Sequence, residues 1–358
     1  LAQKMFDSNK FEVQLAKLNA YHNRDLEKLF IKDIKKTFSN FDKLEIADPI
    51  DAEKSRYELA TIETTFYNGR RNLNIKHKKY DVASSASNLF LMEYFVSYAD
   101  ESAKAHFINQ PMPELFELIH NSINFERIIG ALNSENELSR LKLKFYYALY
   151  RARRLTNIEC YFEAKKIFYE NSGLFPLTAR QSFIFLLINC ISYLMRFLPA
   201  NELEKENYSN IKYMFENDLH VFPGDNLLPA GSFKNALILS VKFEDHDFTK
   251  QLLEKHVFKT HRKFHKPFRN FGLALIEFNG SNFGAALEIL QKVEFIEPAI
   301  TMDVKILTSK ILYEMDYIEN AFIYIRSFRK FLSENKNISG SLKDKYNKFT
   351  RFYTILLN

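Results

Sequence analysis

Glycine and proline are scarce in this chain, whose 358 residues contain nine of each. Sheets with tight turns consume both residues, whereas the interiors of long helices exclude them. Apolar residues recur with a period near 3.6, the spacing of one helix face. The clearest stripe consists of Leu342, Tyr346, Phe349, Tyr353 and Leu356. The sequence therefore predicts an all-α fold.

The same period predicts a succession of helices joined by short connections, so that neighbours run antiparallel. They are expected at 10–24, 26–42, 50–70, 80–108, 112–131, 136–154, 158–172, 178–197, 200–218, 229–244, 247–260, 266–279, 282–296, 300–315, 318–334 and 342–357.

The length and composition indicate a globular chain larger than one core. Apolar residues make up 46% and charged residues 26%, which is too apolar for disorder. A single core stops growing at roughly 250–300 residues, so two domains or an extended repeat are expected. The most apolar run, 182–195, is shorter than the ~20 residues that span a bilayer. It is predicted to be a central buried helix, with no membrane insertion.

Two cysteines, Cys160 and Cys190, are too few for a disulfide framework, and no signal peptide is recognisable. Both features predict a cytoplasmic protein, and we expect a bacterial one. The opening residues LAQKMF are typical of a helix end, so a preceding N-terminal part is expected to be missing.

The stretch FGLALIEFNGSNFGAALEILQKVEFIEP, 271–298, resembles a tetratricopeptide repeat, a 34-residue helix pair. The resemblance makes Gly272 and Ala286 the small residues where the two helices touch. It makes Leu290 the following core position and Pro298 the terminator. The usual tryptophan of the family is absent, and one extra residue lies at the turn after Asn279.

Neighbouring segments repeat parts of this pattern. The turn pairs Asp247-Phe248, Asn282-Phe283 and Tyr317-Ile318 recur every 35 residues, as do Gln251, Ala286 and Ala321. An earlier copy, CYFEAKKIFYENSGLFP, carries Ala164 and Pro176 at the same separation as Ala286 and Pro298. The resemblance covers about 140–335.

This resemblance implies an α-solenoid, or superhelix, of antiparallel helix pairs, because each pair buries its apolar faces against the pairs before and after it. We predict divergent helical hairpins over 1–135, TPR-like pairs over 136–341 and a C-terminal capping helix over 342–358. An irregular helical bundle is the alternative.

Motifs that carry chemistry are missing. The sequence has no GxxxxGK[ST] phosphate loop, no HExxH and no CxxC. His261 and His265 have metal-ligand spacing, but lysines and arginines surround them and Pro267 interrupts the helix. We therefore expect no enzyme activity, no metal and no cofactor.

Basic residues cluster at 70–79, 151–154 and 255–269. Cations at helix ends interact favourably with the helix dipole, so helix termination explains all three clusters. Nucleic-acid binding is the alternative interpretation, and the net charge of +6 favours it.

The resemblance also implies that first helices of each pair line a concave groove. Lys266, Arg269, Leu273 and Ile276 are then expected to face inward. Lys234 and Lys305 align with Arg269 in the adjacent units, which predicts a column of cations suited to a peptide carboxylate or an acidic side chain.

The sequence as a whole predicts a non-catalytic scaffold that binds another protein or a peptide. One alternative is a nucleic-acid-associated helical protein that uses the three basic clusters. Another is a sensor or regulatory domain whose output domain lies upstream of Leu1.

Overall fold

The structure, a computed structural model, describes residues 8–24, 26–41, 49–68, 82–107, 111–131, 137–220, 227–293, 298–335, 338 and 340–358. Within these ranges it contains seventeen α-helices and no β-strand, which confirms the all-α prediction. The helices are α1 (Ser8–Asn23), α2 (Glu27–Phe41), α3 (Pro49–Asn68), α4 (Val82–Phe107), α5 (Glu114–Ser122), α6 (Phe125–Ala131), α7 (Glu137–Arg154), α8 (Ile158–Glu170), α9 (Leu177–Leu194), α10 (Ala200–Glu216), α11 (Ala230–Lys242), α12 (His246–Glu254), α13 (His265–Asn279), α14 (Phe283–Leu290), α15 (Pro298–Glu314), α16 (Ile318–Glu334) and α17 (Gly340–Leu357).

Two predicted helices are interrupted. The segment 112–131 forms α5 and α6, because the Asn124 side chain accepts a hydrogen bond from the Arg127 amide (2.9 Å) and caps a new helix. The segment 247–260 is α-helical only to Glu254, and 3₁₀ turns follow at His256–Lys259 and Arg262–Phe264.

Two compact units divide the chain. One comprises residues 1–103 and 112–203, and the other comprises 104–111 and 204–358. The boundary predicted at 135 falls in 132–136, outside the described residues. That boundary and the one at 341 stay predictions.

Aromatic side chains build the core of the first unit. Phe30 of α2 stacks on Phe66 of α3 with ring centroids 3.6 Å apart. A second cluster surrounds Tyr150, whose ring lies 4.8 Å from Tyr98 and 5.0 Å from Phe95. Phenylalanine and tyrosine, which the chain contains 35 and 19 times, are thus used in packing between helices.

Helix α9 is the apolar run predicted to be buried. Among the described residues, one helix is long and apolar enough to cross a membrane, and it is α9. Half of its 18 residues are buried inside the structure. It contacts α3, α7 and α8 of the same unit. Its Phe183, Leu187 and Ile191 are fully buried.

The second unit contains three successive helical hairpins, α11/α12, α13/α14 and α15/α16. The first helices of neighbouring hairpins touch, α11 with α13 and α13 with α15, and α14 also contacts α15. Helix α17 packs against α16 and places Tyr346, Tyr353 and Leu357 in their shared core.

One turn geometry closes these hairpins and recurs at other helix ends. A side-chain-bearing residue takes a positive φ, and the next amide donates to the carbonyl five residues back, which is a Schellman turn. The positive-φ residues are Thr156, Asp218, Glu244, Ser281 and Asp316, with φ from 49° to 61°. The closing bonds, 2.8–3.0 Å long, join Asn157 to Ala152, Leu219 to Met214, Asp245 to Ser240, Asn282 to Glu277 and Tyr317 to Leu312.

The cap of α12 shows that the 35-residue spacing matches the wrong residues of this helix with those of α14 and α16. Asp245, rather than the aligned Asp247, caps this helix, because its side chain accepts the Phe248 amide at 3.1 Å. The position equivalent to Ala286 and Ala321 is therefore Thr249, which is buried, whereas Gln251 is exposed.

The residues assigned to repeat packing lie as follows. Ala164, Ala286 and Ala321 are fully buried, and Leu290 is 4% exposed. Pro176 is the N-cap of α9, and Pro298 is the first residue of α15. Each assigned alanine is thus enclosed by other protein atoms, so a larger side chain at its position could not extend into solvent.

Gly272 lies at the closest helix approach of the second unit. A β-carbon built there comes within 2.6 Å of Leu253 Cδ2 and 3.1 Å of both Leu237 methyls. Both leucines are buried, so α13 can approach α11 and α12 this closely only with glycine.

We expect Gly272→Ala to be less stable than Gly284→Ala by about 1–3 kcal/mol, because the new methyl group overpacks the leucines. Gly284 is the matched control, since a β-carbon there meets nothing within 4 Å. Urea unfolding followed by circular dichroism measures both free energies. Equal stability of the two variants would contradict the close approach.

We expect Thr156→Gly to raise the free energy of unfolding by about 1 kcal/mol, because a β-branched residue is strained at positive φ. Lys166→Gly in α8 is the control, and it should lower stability by about 1 kcal/mol through helix propensity. Urea denaturation distinguishes them. A Thr156→Gly variant as destabilised as the control would show that the turn carries no strain.

Candidate functional site

Helix α13 has one buried face and one exposed face. Phe268, Phe271, Gly272 and Ala274 are buried. On the other side Lys266 and Arg269 are exposed, Leu273 is 46% exposed, and Ile276 is half-buried. These last four residues, spaced at one helix face, are the α13 stripe, and the sequence predicted them as a set.

The two cations of the α13 stripe are uncommitted. Within the described part of the chain, neither Lys266 nor Arg269 makes a hydrogen bond or an ion pair. An exposed guanidinium can bind a carboxylate through two parallel hydrogen bonds. Leu273 and Ile276 lie one and two turns further along and offer apolar contact area. The stripe can thus receive an acidic group next to an apolar one.

Lys234 is committed to an internal ion pair. Its Nζ lies 2.5 Å from Asp303 Oδ2, and both side chains are four-fifths buried or more. The pair ties α11 directly to α15, the two helices on either side of α13. Removing either partner would leave a largely desolvated charge, so Lys234 is a structural cation.

Lys305 lies among aromatic rings. Its Nζ is 5.2 Å from the ring centroid of Phe331 and 5.3 Å from that of Tyr324, both on α16. Burial lowers the pKa of the Lys305 amine. Residues 303 and 305 are separated by about 200° around a helix. Lys305 therefore points away from the side on which Asp303 holds Lys234.

The predicted column of cations is not assembled by these contacts. Lys234 faces Asp303, Lys305 faces the rings of α16, and Arg269 faces solvent. Lys305 lies 36 residues after Arg269, whereas the turns at Ser281 and Asp316 are 35 residues apart. Lys234 lies 35 residues before Arg269, whereas the turn at Glu244 is 37 residues before that at Ser281. Offsets of one or two residues rotate a side chain by about 100° per residue, so the aligned cations point in different directions.

The basic segment 255–269 is a packed joint between helices. The Leu228 amide donates to the Lys259 carbonyl (2.7 Å), and Lys259 Nζ contacts Asp218 Oδ1 (3.0 Å) and His220 Nε2 (3.2 Å). The Phe215 ring stacks on the imidazole of His220, and the His256 ring approaches it edge-on at 5.1 Å.

The two histidines with metal-ligand spacing take separate backbone partners. His261 Nδ1 accepts the Lys263 amide at 3.3 Å, and His265 Nε2 lies 2.9 Å from the Thr260 carbonyl oxygen. Across the described residues no group of three or more His, Cys, Asp or Glu side chains is placed to hold a metal ion.

The arginines of the segment 151–154 have partners inside the first unit. Arg151 approaches Glu163 at 3.5 Å, Arg153 donates to the Ala99 carbonyl at 2.9 Å, and Arg154 makes two bonds to Glu117. The third basic cluster, 70–79, lies outside the described residues.

One buried charged group escaped sequence analysis. Glu53 of α3 is fully buried and accepts hydrogen bonds from Arg56 (2.6 Å) and from Ser139 of α7 (2.9 Å). Cys160 and Cys190 are buried free thiols, and burial raises the pKa of Cys190 to about 11. No periodic signal marks a buried charge, because its partner lies far away in sequence.

Comparisons with known proteins add no relative. No model of a protein family matches this sequence, no curated protein matches it, and no solved structure matches the fold.

We expect stability to fall between about pH 7.5 and pH 5 through His220. Burial, then the nearby Lys259 and His256, lower the pKa of His220 to about 4, below the ~6.5 of an unfolded chain. The unfolded state then binds more protons than the folded state, so the free energy of unfolding is about 2 kcal/mol lower at pH 5 than at pH 7.5. His220→Phe should flatten this dependence in urea titrations.

The unsubstituted protein, titrated in parallel, supplies the reference for this pH dependence. If His220→Phe retains the full dependence of the unsubstituted protein, the His220 imidazole is not the group that titrates.

Proposed function

We propose that this protein is a non-catalytic scaffold that binds a peptide or protein segment through the α13 stripe. The observation that carries the proposal is the pair of exposed cations Lys266 and Arg269, which have no partner among the described residues, beside the exposed Leu273 on α13. The ligand is an extended segment with a carboxylate, either an acidic side chain or a chain terminus, followed by an apolar side chain.

The proposed architecture is a TPR-like superhelix. Three successive hairpins with the same turn, and first helices that touch their neighbours, support it. The positive-φ residues Glu244, Ser281 and Asp316 recur at close to the 35-residue spacing found in the sequence. In such an array the first helices share the concave wall, which places the α13 stripe at the ligand.

Rigid placement of the stripe is the second support. Gly272 holds α13 against α11 and α12, and the ion pair of Lys234 with Asp303 braces the helices on both sides. A binding surface whose backbone is already fixed loses less conformational entropy when the ligand arrives.

The internal partners of the basic clusters favour a peptide over nucleic acid. Arg153, Arg154 and Lys259 are used in contacts within their own units. Neutralising several phosphates requires a surface of free cations, and these residues cannot serve both purposes at once.

We expect Lys266→Glu/Arg269→Glu to lower affinity for acidic and carboxyl-terminal peptides at least tenfold. A charge-assisted bidentate contact contributes about 1.5–3 kcal/mol, and the substitutions also introduce repulsion. A peptide array followed by calorimetry on the best binders measures the effect.

Lys250→Glu/Lys255→Glu, which makes the same charge change at exposed positions on or just after α12, should retain affinity. Equal loss in this control would show a general charge effect and remove the assignment to α13. Retention on heparin that collapses with salt, without any peptide binding, would favour the nucleic-acid alternative.

A further inference from the structure

Helix α17 exposes three bulky apolar side chains in its last two turns. Phe352, Ile355 and Leu356 are 72%, 70% and 57% exposed. They lie within about 100° of one another around the helix, where Ile355 is opposite the buried face formed by Tyr346 and Tyr353 and Leu356 borders that face. Such a contiguous patch differs from single exposed apolar residues, which are ordinary, and it marks an interaction surface.

Cations occupy the preceding turns of the same helix. Lys348 and Arg351 are exposed, and neither makes an ion pair within the described residues. Together with Arg329 of α16 they line an open depression between the two helices. Asp344 is the one carboxylate among its described lining residues, so the depression carries a net positive charge.

Arg329 is held in place before any ligand arrives. Its Nε donates to Thr350 Oγ1 (3.2 Å), and its Nη2 donates to the Thr350 carbonyl (3.1 Å) and to Thr354 Oγ1 (2.9 Å). The remaining nitrogen, Nη1, makes no hydrogen bond to the described residues. A guanidinium fixed by one edge and open at the other is suited to a phosphate oxygen.

We propose that the C-terminal end of α17 docks on an anionic phospholipid surface. Arg329, Lys348 and Arg351 bind headgroup phosphates, and Phe352, Ile355 and Leu356 enter the boundary of the acyl chains. The inference uses a surface separate from the α13 stripe and does not depend on the proposed peptide binding.

Charge complementarity selects a lipid surface over a second copy of the chain. In a two-fold dimer this patch would face itself and bring Lys348 and Arg351 toward the same cations of the partner. The three apolar side chains also cover far less than the roughly 800 Å² that each partner of a stable dimer buries. An anionic bilayer offers phosphates to the cations and acyl chains to the apolar side chains at the same time.

Vesicle sedimentation of the full chain tests the proposal. Vesicles of phosphatidylcholine alone are compared with vesicles containing about one third phosphatidylglycerol. We expect binding to the anionic vesicles only, weakened by salt because the headgroup contacts are electrostatic. Phe352→Ser/Ile355→Ser and, separately, Arg329→Gln/Arg351→Gln should each lower the partition coefficient about tenfold or more.

Two exposed positions outside the patch supply matched controls. Ile323→Ser removes a side chain that is 66% exposed on α16, and Lys310→Gln removes one cation from α15. Both variants should bind anionic vesicles as the unsubstituted chain does. Circular dichroism shows that each variant retains its helices.

Every other outcome overturns the proposal. Calorimetric binding of glycerol phosphate without vesicle binding would assign the depression to a soluble phosphate ligand. A dimer in light scattering that dissociates in Phe352→Ser/Ile355→Ser would assign the apolar patch to a second copy. Equal binding to neutral and anionic vesicles, or binding to neither, would remove the role of the cations.

Discussion

The close approach of α13 to α11 and α12 is the contact on which the second unit depends. Gly272 allows it, because any side chain at that position would meet the methyl groups of Leu237 and Leu253. Phe268 and Phe271 are buried along the same face, so α13 has one rotational setting about its axis. That setting turns Arg269 and Leu273 outward. A packing constraint on the buried side therefore positions the proposed binding residues on the other side.

Cations in this protein serve three physical roles, which sequence position does not reveal. Lys234 joins two helices through a carboxylate partner, and Lys259 likewise joins its 3₁₀ turn to the turn after α10. Arg153 joins two helices through a backbone carbonyl. Lys305 is desolvated against aromatic rings, which lowers its pKa. Arg269 and Arg351 are exposed and make no ion pair with the described residues. Both proposals draw on cations of this last kind.

The two proposed surfaces differ in the ligand that their chemistry fits. On both helices the cations come first and the apolar side chains follow toward the C-terminal end. In the α13 stripe Leu273 is 46% exposed and Ile276 is half-buried, which suits the single apolar side chain of an extended peptide. At the end of α17 three apolar side chains are 57–72% exposed and protrude far enough to enter a lipid interface.

Sequence alone predicted the helices and much of one candidate site. The period of apolar residues and the scarcity of glycine and proline predicted the all-α fold and most helix boundaries, since both signals are local. The α13 stripe was also predicted, because its four residues share one helix and one face. Tertiary structure decided the rest. Whether Lys234 and Lys305 are free depends on Asp303 and on the rings of α16, and the open edge of Arg329 depends on Thr350 and Thr354. Those partners lie on other helices, and small shifts at the turns rotate side chains by large angles, so a periodic pattern cannot specify them.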